Sequence, residues 1–195
     1  MSVTAQPSLV RTVAGSEVPV AGDWAVDPGH AEVAFVGRHF MMTKVRGRFT
    51  DVTGLVRIAE DPADSSVEVT IGMASVTSGS ADRDDHLRSP DFFDVTTHPT
   101  ATFRSTGVRW AGTTATATVD GDLTIVGVTR PVVLEVAYLG AVTDPWGGHR
   151  AVFSAWTEVN REDWGLTWNM ALEAGGVMVS KKVRIEVEIE TIRAS

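Results

Sequence analysis

Histidine is the first residue type to examine, because imidazole acts both as a metal ligand and as an acid or base near neutral pH. The chain has five histidines, at His30, His39, His86, His98 and His149. No two of them have the i, i+2 or i, i+4 spacing that places two ligands on one face of a strand or helix. The spacing therefore predicts no metal site, although distant ligands can still meet in a folded chain.

Nucleophilic and carboxylate catalysis have little support in the sequence. The chain contains no cysteine, which excludes a thiolate nucleophile, a disulfide and a Cys-ligated metal. The serines show no Gly-x-Ser-x-Gly nucleophile elbow. The aspartates between residues 82 and 94 alternate with Arg83 and Arg88, a pattern typical of a salt-bridged surface helix. We therefore predict a protein without catalytic residues.

Two groups of residues remain as candidates for binding. The first is a basic cluster among the phenylalanines and methionines of residues 35–49, and the second is the supply of tryptophan and methionine in residues 156–178. Such apolar side chains either fill a core or line an apolar tunnel, with cations at its mouth for the polar end of a ligand. The residue types alone leave both alternatives open.

Strands are the elements that must position these residues. The chain has 29 Val and 22 Thr against 8 Leu, and β-branched side chains favour a pleated sheet. Apolar and polar residues alternate with a period of two in several runs, for example over residues 183–190. Turn signals such as Asp27-Pro28-Gly29 separate the runs. We predict about eight or nine antiparallel strands that close into a barrel, because closure hides the unpaired edges of a sheet.

One interval, residues 78–95, interrupts the alternation and predicts a short helical insertion. Ser80 stands at the cap position, the following aspartates suit the positive end of a helix, and Pro90 ends it. Phe92 and Phe93 follow in a turn and are expected to fall on the mouth of the barrel. Residues 1–21 lack a firm period, so we expect a loosely ordered N-terminal arm, which either adds an edge strand or stays mobile, before a barrel domain of residues 22–195.

Charge and hydropathy exclude several partners. The net charge is −8, which disfavours nucleic acid. No run approaches the roughly 20 apolar residues of a membrane span. The N-terminal segment carries Arg11 and Glu17 where a secretory signal would have its apolar core, so we predict a cytoplasmic protein. A homodimer through a strand edge or the arm is a further possibility that the sequence does not decide.

Five short strings occur in a fixed order along the chain. They are residues 45–50 (VRGRFT), 83–94 (RDDHLRSPDFFD), 98–103 (HPTATF), 121–131 (GDLTIVGVTRP) and 160–169 (NREDWGLTWN). Each string is weak alone, but their order and the intervening Asp144-Pro-Trp-Gly147 make the combination specific. Together they closely resemble the YceI-like family of bacterial polyisoprenoid-binding proteins, and the resemblance extends from about Trp24 to Ile192.

The resemblance implies an all-β fold, an extended eight-stranded antiparallel lipocalin-like barrel with a short helical insertion near residues 80–94. It also implies a hollow interior that holds an isoprenoid or a similar long apolar chain. We therefore expect the protein to bind, sequester or transport a polyisoprenoid, an isoprenoid quinone or a fatty amide. On this interpretation the bound lipid is the only small-molecule partner, and no covalent cofactor is needed.

Candidate site residues follow from this interpretation and from an assumed strand parity, which a one-residue slip would reverse. The predicted tunnel lining is Phe35, Phe49, Leu123, Ile125, Phe153, Trp156 and Trp168. The predicted contacts for a polar head group are Arg38, His39 and Arg46. Two alternatives stay open: an enzyme that acts on a bound isoprenoid or quinone with His39 as acid or base, and a ligandless, stress-associated structural protein whose aromatic residues fill the barrel.

Overall fold

Antiparallel strands dominate the computed structural model, which describes residues 8–110, 112, 115–171 and 178–194. Within these residues there are eleven strands, one α-helix and three short 3-10 turns. The strands are β1 (Val10–Val13), β2 (Ser16–Pro19), β3 (Gly22–His39), β4 (Thr43–Phe49), β5 (Val52–Ile58), β6 (Ser66–Gly72), β7 (Thr100–Trp110), β8 (Thr116–Ile125), β9 (Val128–Thr143), β10 (His149–Asn160) and β11 (Lys182–Arg193). The helix is α1 (Ala81–Arg88), and the 3-10 turns are Pro62–Asp64, Met73–Ser75 and Arg161–Trp164.

The main sheet closes on itself. From β5 to β11 each strand pairs with the next one in the chain, and β11 returns to pair with β3, with Ile185 opposite Phe35. The short strands β4 and β5 pair with opposite ends of the long strand β3, so together they take one place in the barrel. The predicted eight-stranded antiparallel barrel is thereby confirmed.

Alternation along each strand decides which side chains face the interior. On β11, for example, Ile189 is buried while its neighbour Glu188 is exposed. Two glycines let aromatic rings lie flat against the inner wall. A Cβ atom at Gly47 would overlap the ring of Phe35. A Cβ atom at Gly121 would likewise overlap the ring of Phe103, so both positions require glycine for close approach.

An N-terminal hairpin closes one end of the barrel. Strands β1 and β2 pair with each other, and Val18 is almost fully buried. The Arg11 guanidinium donates hydrogen bonds to the carbonyls of Ala59 and Glu60, which fasten the hairpin to the barrel. The expectation of a loosely ordered arm was therefore wrong for residues 10–19, because strands of four residues are too short to show a period in the sequence. Residues 1–7 of that arm lie outside the described residues.

The predicted helical insertion is confirmed as α1. Ser80 occupies the N-cap position, but its side chain makes no capping hydrogen bond, contrary to the prediction. The Asp84 carboxylate instead accepts hydrogen bonds from the backbone N–H and the hydroxyl of Ser78, which ties the first turn of the helix to the preceding loop. After the helix, the Phe93 N–H donates to the Leu87 carbonyl over 3.0 Å. This turn holds Phe93 against the barrel.

Candidate functional site

The barrel encloses a cavity of about 640 Å³ whose wall is almost entirely apolar. This volume lies in the range of about 300–1,000 Å³ that is typical of small-molecule sites. Inward-facing residues of β3 and of β5 to β11 contribute to the wall. The barrel interior is therefore hollow, which contradicts the alternative in which aromatic residues fill it.

Six of the seven predicted lining residues lie on the cavity wall: Phe35, Phe49, Leu123, Ile125, Phe153 and Trp168. Phe35 and Phe49 pack on each other, with ring centroids 5.8 Å apart, whereas Phe153 packs on Tyr138 toward the hairpin end. Phe93 from the helical insertion packs on Phe35 and Phe49, with ring centroids 6.2 and 5.5 Å apart. The structure therefore brings these side chains together, while their contact with a ligand stays a prediction.

Trp156 and Arg46 were wrongly predicted, because both point away from the cavity. On β10 the inward positions are Phe153, Ala155 and Thr157, so Trp156 faces the outer surface, where the Arg184 guanidinium lies 4.1 Å from its ring centroid. On β4 Val45 points inward, so the next residue, Arg46, faces outward. The period of two decides both cases, and the assumed parity was off by one at these positions.

The outward Arg46 is held by carboxylates. Its guanidinium forms ion pairs with Glu32, over 3.0 Å, and with Glu186. These hydrogen bonds hold the pKa of the Glu186 carboxyl below its usual value. The three side chains form an outer-surface ion-pair network on neighbouring strands, with no access to the interior. A role for Arg46 in holding a head group inside the barrel is thus excluded by geometry.

The hairpin end of the cavity is closed but contains unpartnered polar atoms. Val18, Pro19 and Tyr138 line the wall there. Among the described residues, neither the Tyr138 hydroxyl nor the indole nitrogen of Trp110 has a hydrogen-bond partner, although both atoms are buried. Burial also raises the pKa of Tyr138 to about 12. The sequence analysis missed both residues, because the alternation along a strand does not show which hydroxyl or indole N–H group has a hydrogen-bond partner.

The opposite end, next to α1, is the mouth of the cavity. Arg38 and His39 at the end of β3 line it together with Asp82 and Arg83 of α1. Arg38 and both α1 residues are exposed, which shows that the cavity reaches the surface here, whereas Val18 and Pro19 at the other end are buried. Two of the three predicted head-group residues, Arg38 and His39, therefore stand at the mouth.

Further aromatic packing surrounds the mouth. The Trp168 ring contacts His86 of α1 edge to face, with centroids 4.6 Å apart. It also packs on Phe92, at 5.2 Å. The expectation that Phe92 and Phe93 fall on the mouth is confirmed, since both line this end of the cavity.

One buried cation was missed by the sequence analysis. Arg161 is 5% exposed and lines the cavity. Its Nε and Nη1 atoms donate to the carbonyls of Ser180 and Leu166, and among the described residues Nη2 has no partner. Burial lowers the pKa of this guanidinium, which nevertheless stays protonated at neutral pH. The NREDWGLTWN string contained this residue, but only the folded chain shows that it is buried beside an apolar cavity.

The described part of the chain contains one group of side chains that could hold a metal ion. One group of potential ligand atoms, from Asp27, His30 and Glu190, lies within 4.8 Å. However, the Arg150 guanidinium already bonds Asp27 over 2.7 Å and Glu190 over 2.5 Å, and its Nε bonds Asp144. The hydrogen bond from Arg150, followed by the one with His30, lowers the pKa of Asp27 to about 2. The group therefore forms an ion-pair network that Arg150 holds together.

His39, the candidate acid or base, stacks on the ring of Phe40 with centroids 3.8 Å apart. Within the described residues no carboxylate orients its imidazole, so the arrangement lacks the base-orienting partner that general-base catalysis usually uses.

None of the helices in the described residues has the length and apolar character needed to cross a bilayer.

Comparison with known proteins places this site in a family. A profile of the YceI-like domain matches residues 24–191. A UPF0312 protein of Ectopseudomonas mendocina is 40% identical over 193 residues, which are 95% of this chain and 97% of that protein. The crystal structure of Burkholderia cenocepacia BcnA superposes with a TM-score of 0.73 at 24% identity, over 85% of this chain and 98% of that one.

A more distant structure has a similar fold. It is a polyisoprenoid binding domain from Saccharophagus degradans, which matches with a TM-score of 0.63 at 17% identity, over 88% of this chain and 98% of that one. The profile match and the relative that is 40% identical each cover most of the chain. The chain belongs to the YceI-like family.

Proposed function

We propose that the protein binds a long apolar molecule inside the barrel and thereby sequesters or transports it. The polyisoprenoid, isoprenoid quinone or fatty amide expected from the sequence all fit this proposal. The observation that carries it is the apolar cavity of about 640 Å³ inside the barrel. Transfer of each methylene from water to such a wall contributes about 0.8 kcal/mol, so a long chain can offset the cost of association.

The ligand lies with its chain toward the hairpin and its polar end toward the mouth. Arg38 and His39 line the mouth, and Nη2 of the buried Arg161 guanidinium, which has no partner within the described residues, can donate a hydrogen bond to an oxygen of the ligand. A buried donor without a partner costs free energy, which a carbonyl, hydroxyl or phosphate oxygen of the ligand would recover after a small side-chain adjustment. The apolar remainder of the wall suits a hydrocarbon chain.

The likeness to the Saccharophagus degradans domain adds support at the level of the fold. That protein is described as a polyisoprenoid binding domain. Because the identity is 17%, the likeness bears on the shape of the barrel, and the ligand must be argued from this chain's own wall. A polyisoprenoid is therefore the first compound to test, and a quinone or fatty amide the next.

Binding rather than catalysis is the proposed activity. The enzyme alternative needs His39 as its acid or base, and the imidazole of His39 packs on the ring of Phe40. If a bound prenyl quinone is recovered unchanged after long incubation, the binding interpretation holds. Chemical conversion that disappears in His39→Ala would replace it with the enzyme alternative.

A pair of substitutions on one strand tests whether the ligand occupies the cavity. Val187 lines the cavity, and its neighbour Glu188 is exposed on the outer face. We expect Val187→Trp to lower the affinity for a prenyl alcohol at least about ten-fold, because the indole fills the volume that the chain needs. Glu188→Trp adds the same side chain outside the barrel and should bind like the wild type.

The readouts are native mass spectrometry, organic extraction and fluorescence titration. Leu134→Trp, on another wall strand, serves as a second filling variant in case Val187→Trp does not fold. Equal binding by the filling and control variants would overturn the proposal. So would a wild-type protein that carries no lipid and ignores added prenyl lipids and fatty amides.

Two further expectations stay predictions. The cytoplasmic location is tested by cell fractionation with an antibody to the protein. Homodimer formation is tested by sedimentation velocity of the purified chain over a range of concentrations.

A further inference from the structure

The turn between β3 and β4 exposes three consecutive apolar side chains beside the mouth. Phe40 is 39% exposed, Met41 52% and Met42 74%. We name these three residues the mouth loop. Directly before them, His39 lines the cavity, so the loop adjoins the opening. Exposed apolar patches that adjoin a binding site and carry polar residues at their rim are typical of interaction surfaces.

The apolar surface extends beyond the loop itself. The Phe40 N–H donates to the Met178 carbonyl over 2.8 Å, and the Met178 N–H donates to the Met170 carbonyl over 3.0 Å. Met170 is 52% exposed, and Met178 lines the cavity. Methionine is flexible and polarizable, and such side chains adapt to irregular apolar partners. The backbone that carries Met170 and Met178 is thus paired, directly or through Met178, with the mouth loop.

The backbone of the mouth loop holds these side chains outward in a costly conformation. Phe40 has φ of 52° and Met41 has φ of 60°, the left-handed region that glycine and asparagine usually occupy. The Met42 N–H donates to the His39 carbonyl over 3.1 Å, and the Arg38 guanidinium donates to the Met42 carbonyl over 3.2 Å. Strained backbone that is fixed in this way is typical of functional sites.

Unpaired cations flank the loop, although the protein is acidic overall. Within the described residues, neither Arg38 nor Lys44 has a carboxylate partner, whereas Arg46 and Arg48 farther along β4 both form ion pairs with Glu32. On the α1 side of the mouth, the Arg83 guanidinium donates to the hydroxyl and the carbonyl of Ser78. Arg38 and Lys44 therefore place positive charge without a carboxylate partner directly beside the exposed apolar loop.

We propose that the mouth loop docks onto the surface of an anionic lipid bilayer. Phe40, Met41 and Met42 insert at the boundary between head groups and acyl chains, and Arg38 and Lys44 contact lipid phosphates. In this orientation the cavity opens toward the bilayer, so a lipid moves between membrane and barrel without crossing water. This inference rests on the proposed function, because it supplies the route by which the cavity is loaded.

Vesicle co-sedimentation tests the docking. The probe is vesicles of equal parts phosphatidylcholine and phosphatidylglycerol, compared with phosphatidylcholine alone. We expect the wild type to bind the anionic vesicles and the Met41→Asp/Met42→Asp variant to bind at least about ten-fold more weakly, because charged side chains oppose insertion. Each cation near an anionic surface adds roughly a five-fold gain in affinity, so Lys44→Ala should show an intermediate loss.

A matched control lies at the other end of the barrel. Trp146, in the turn between β9 and β10, is 87% exposed. Trp146→Asp removes more apolar surface than either methionine substitution but should leave vesicle binding unchanged. The proposal is overturned if the wild type stays in the supernatant, if the double variant binds as well as the wild type, or if Trp146→Asp weakens binding equally. Equal binding to neutral and anionic vesicles would overturn the role of Arg38 and Lys44.

Ligand transfer separates this inference from the proposed function. The double variant should keep the equilibrium affinity for a prenyl alcohol added in solution while it takes up a fluorescent prenyl lipid from anionic vesicles at least about ten-fold more slowly. Normal affinity with normal uptake would refute docking and leave the binding function intact. A wild-type protein that does not bind the prenyl alcohol in solution would refute the binding function itself.

Discussion

The two ends of the barrel differ in how deeply their apolar side chains are buried and in whether their cations have carboxylate partners. At the hairpin end, Trp24 is fully buried and donates to the Val20 carbonyl over 3.2 Å, and Arg150 binds three carboxylates. At the mouth, the loop of residues 40–42 is exposed and strained, and Arg38 has no carboxylate partner within the described residues. One end is therefore closed by packing and ion pairs, and the other keeps exposed apolar side chains and a cation that a ligand or a membrane can use.

Removal of the closed-end anchor should give the largest loss of stability. Trp24→Ala leaves a cavity beneath the hairpin and removes the hydrogen bond to Val20, so we expect the free energy of unfolding to fall by about 3–5 kcal/mol. Urea denaturation measures it. Trp146→Ala changes a tryptophan that is 87% exposed and should shift the free energy by less than about 0.5 kcal/mol. Similar small losses for both would show that the hairpin does not close the barrel.

Phe93→Ala should come next in size. The ring is buried against Phe35 and Phe49, but it also faces the cavity, so fewer packed contacts are lost than at a solid core. We expect a loss of about 2–3 kcal/mol in urea denaturation, at or below the lower end for buried phenylalanines. A loss below about 1 kcal/mol would mean that α1 is a mobile lid, and the mouth would then be looser than the packing indicates.

Acid should weaken the closed end before the mouth. The hydrogen bond from Arg150 lowers the pKa of Asp27 from 3.8 to about 2, so the folded state binds this proton less readily than the unfolded state. The resulting stabilisation is complete above pH 4 and disappears as the pH falls toward 2. We expect it to contribute about 1–2 kcal/mol. Asp27→Asn should remove this pH dependence, and an unchanged acid unfolding curve would contradict the assignment.

Arg46→Ala should have the smallest effect. Its ion pairs with Glu32 and Glu186 lie on the outer surface with the guanidinium half exposed, and such pairs contribute about 0–1 kcal/mol. Ligand affinity should not change, whereas Arg38→Ala at the mouth should weaken binding of a ligand with a polar head. If Arg46→Ala weakened ligand binding as much as Arg38→Ala, the distinction between inner and outer face would fail.

The barrel and its inserted helix were predictable because they depend on local patterns. A period of two predicts a strand whatever its neighbours are, and residues 83–94 carry both helix signals and a family string. Trp156 and Arg46 were misplaced because parity depends on register, which the alternation alone does not fix. The N-terminal hairpin was missed because its strands have only four residues each.

The polar groups of the cavity depend on long-range packing. The residues that follow Arg161, Glu162-Asp163-Trp164, give no sign that its side chain is buried. In the fold its guanidinium donates hydrogen bonds to the carbonyls of Leu166 and Ser180. Tyr138 and Trp110 lie on strands whose sequence does not show which polar tips meet a partner. The burial of such residues can be recognised only once the closed sheet shows which side chains lie in its interior.

The central claim is that a long chain lies along the barrel axis with its polar end at the mouth. Nuclear magnetic resonance with a nitroxide-labelled fatty amide tests it most directly. A label near the amide group should broaden the backbone signals of Gly37 and Val179 at the mouth, and a label near the terminal methyl should broaden those of Val18 and Ala117 at the hairpin end. Broadening of the hairpin-end signals by the label near the amide group, or of neither set by either label, would contradict the account.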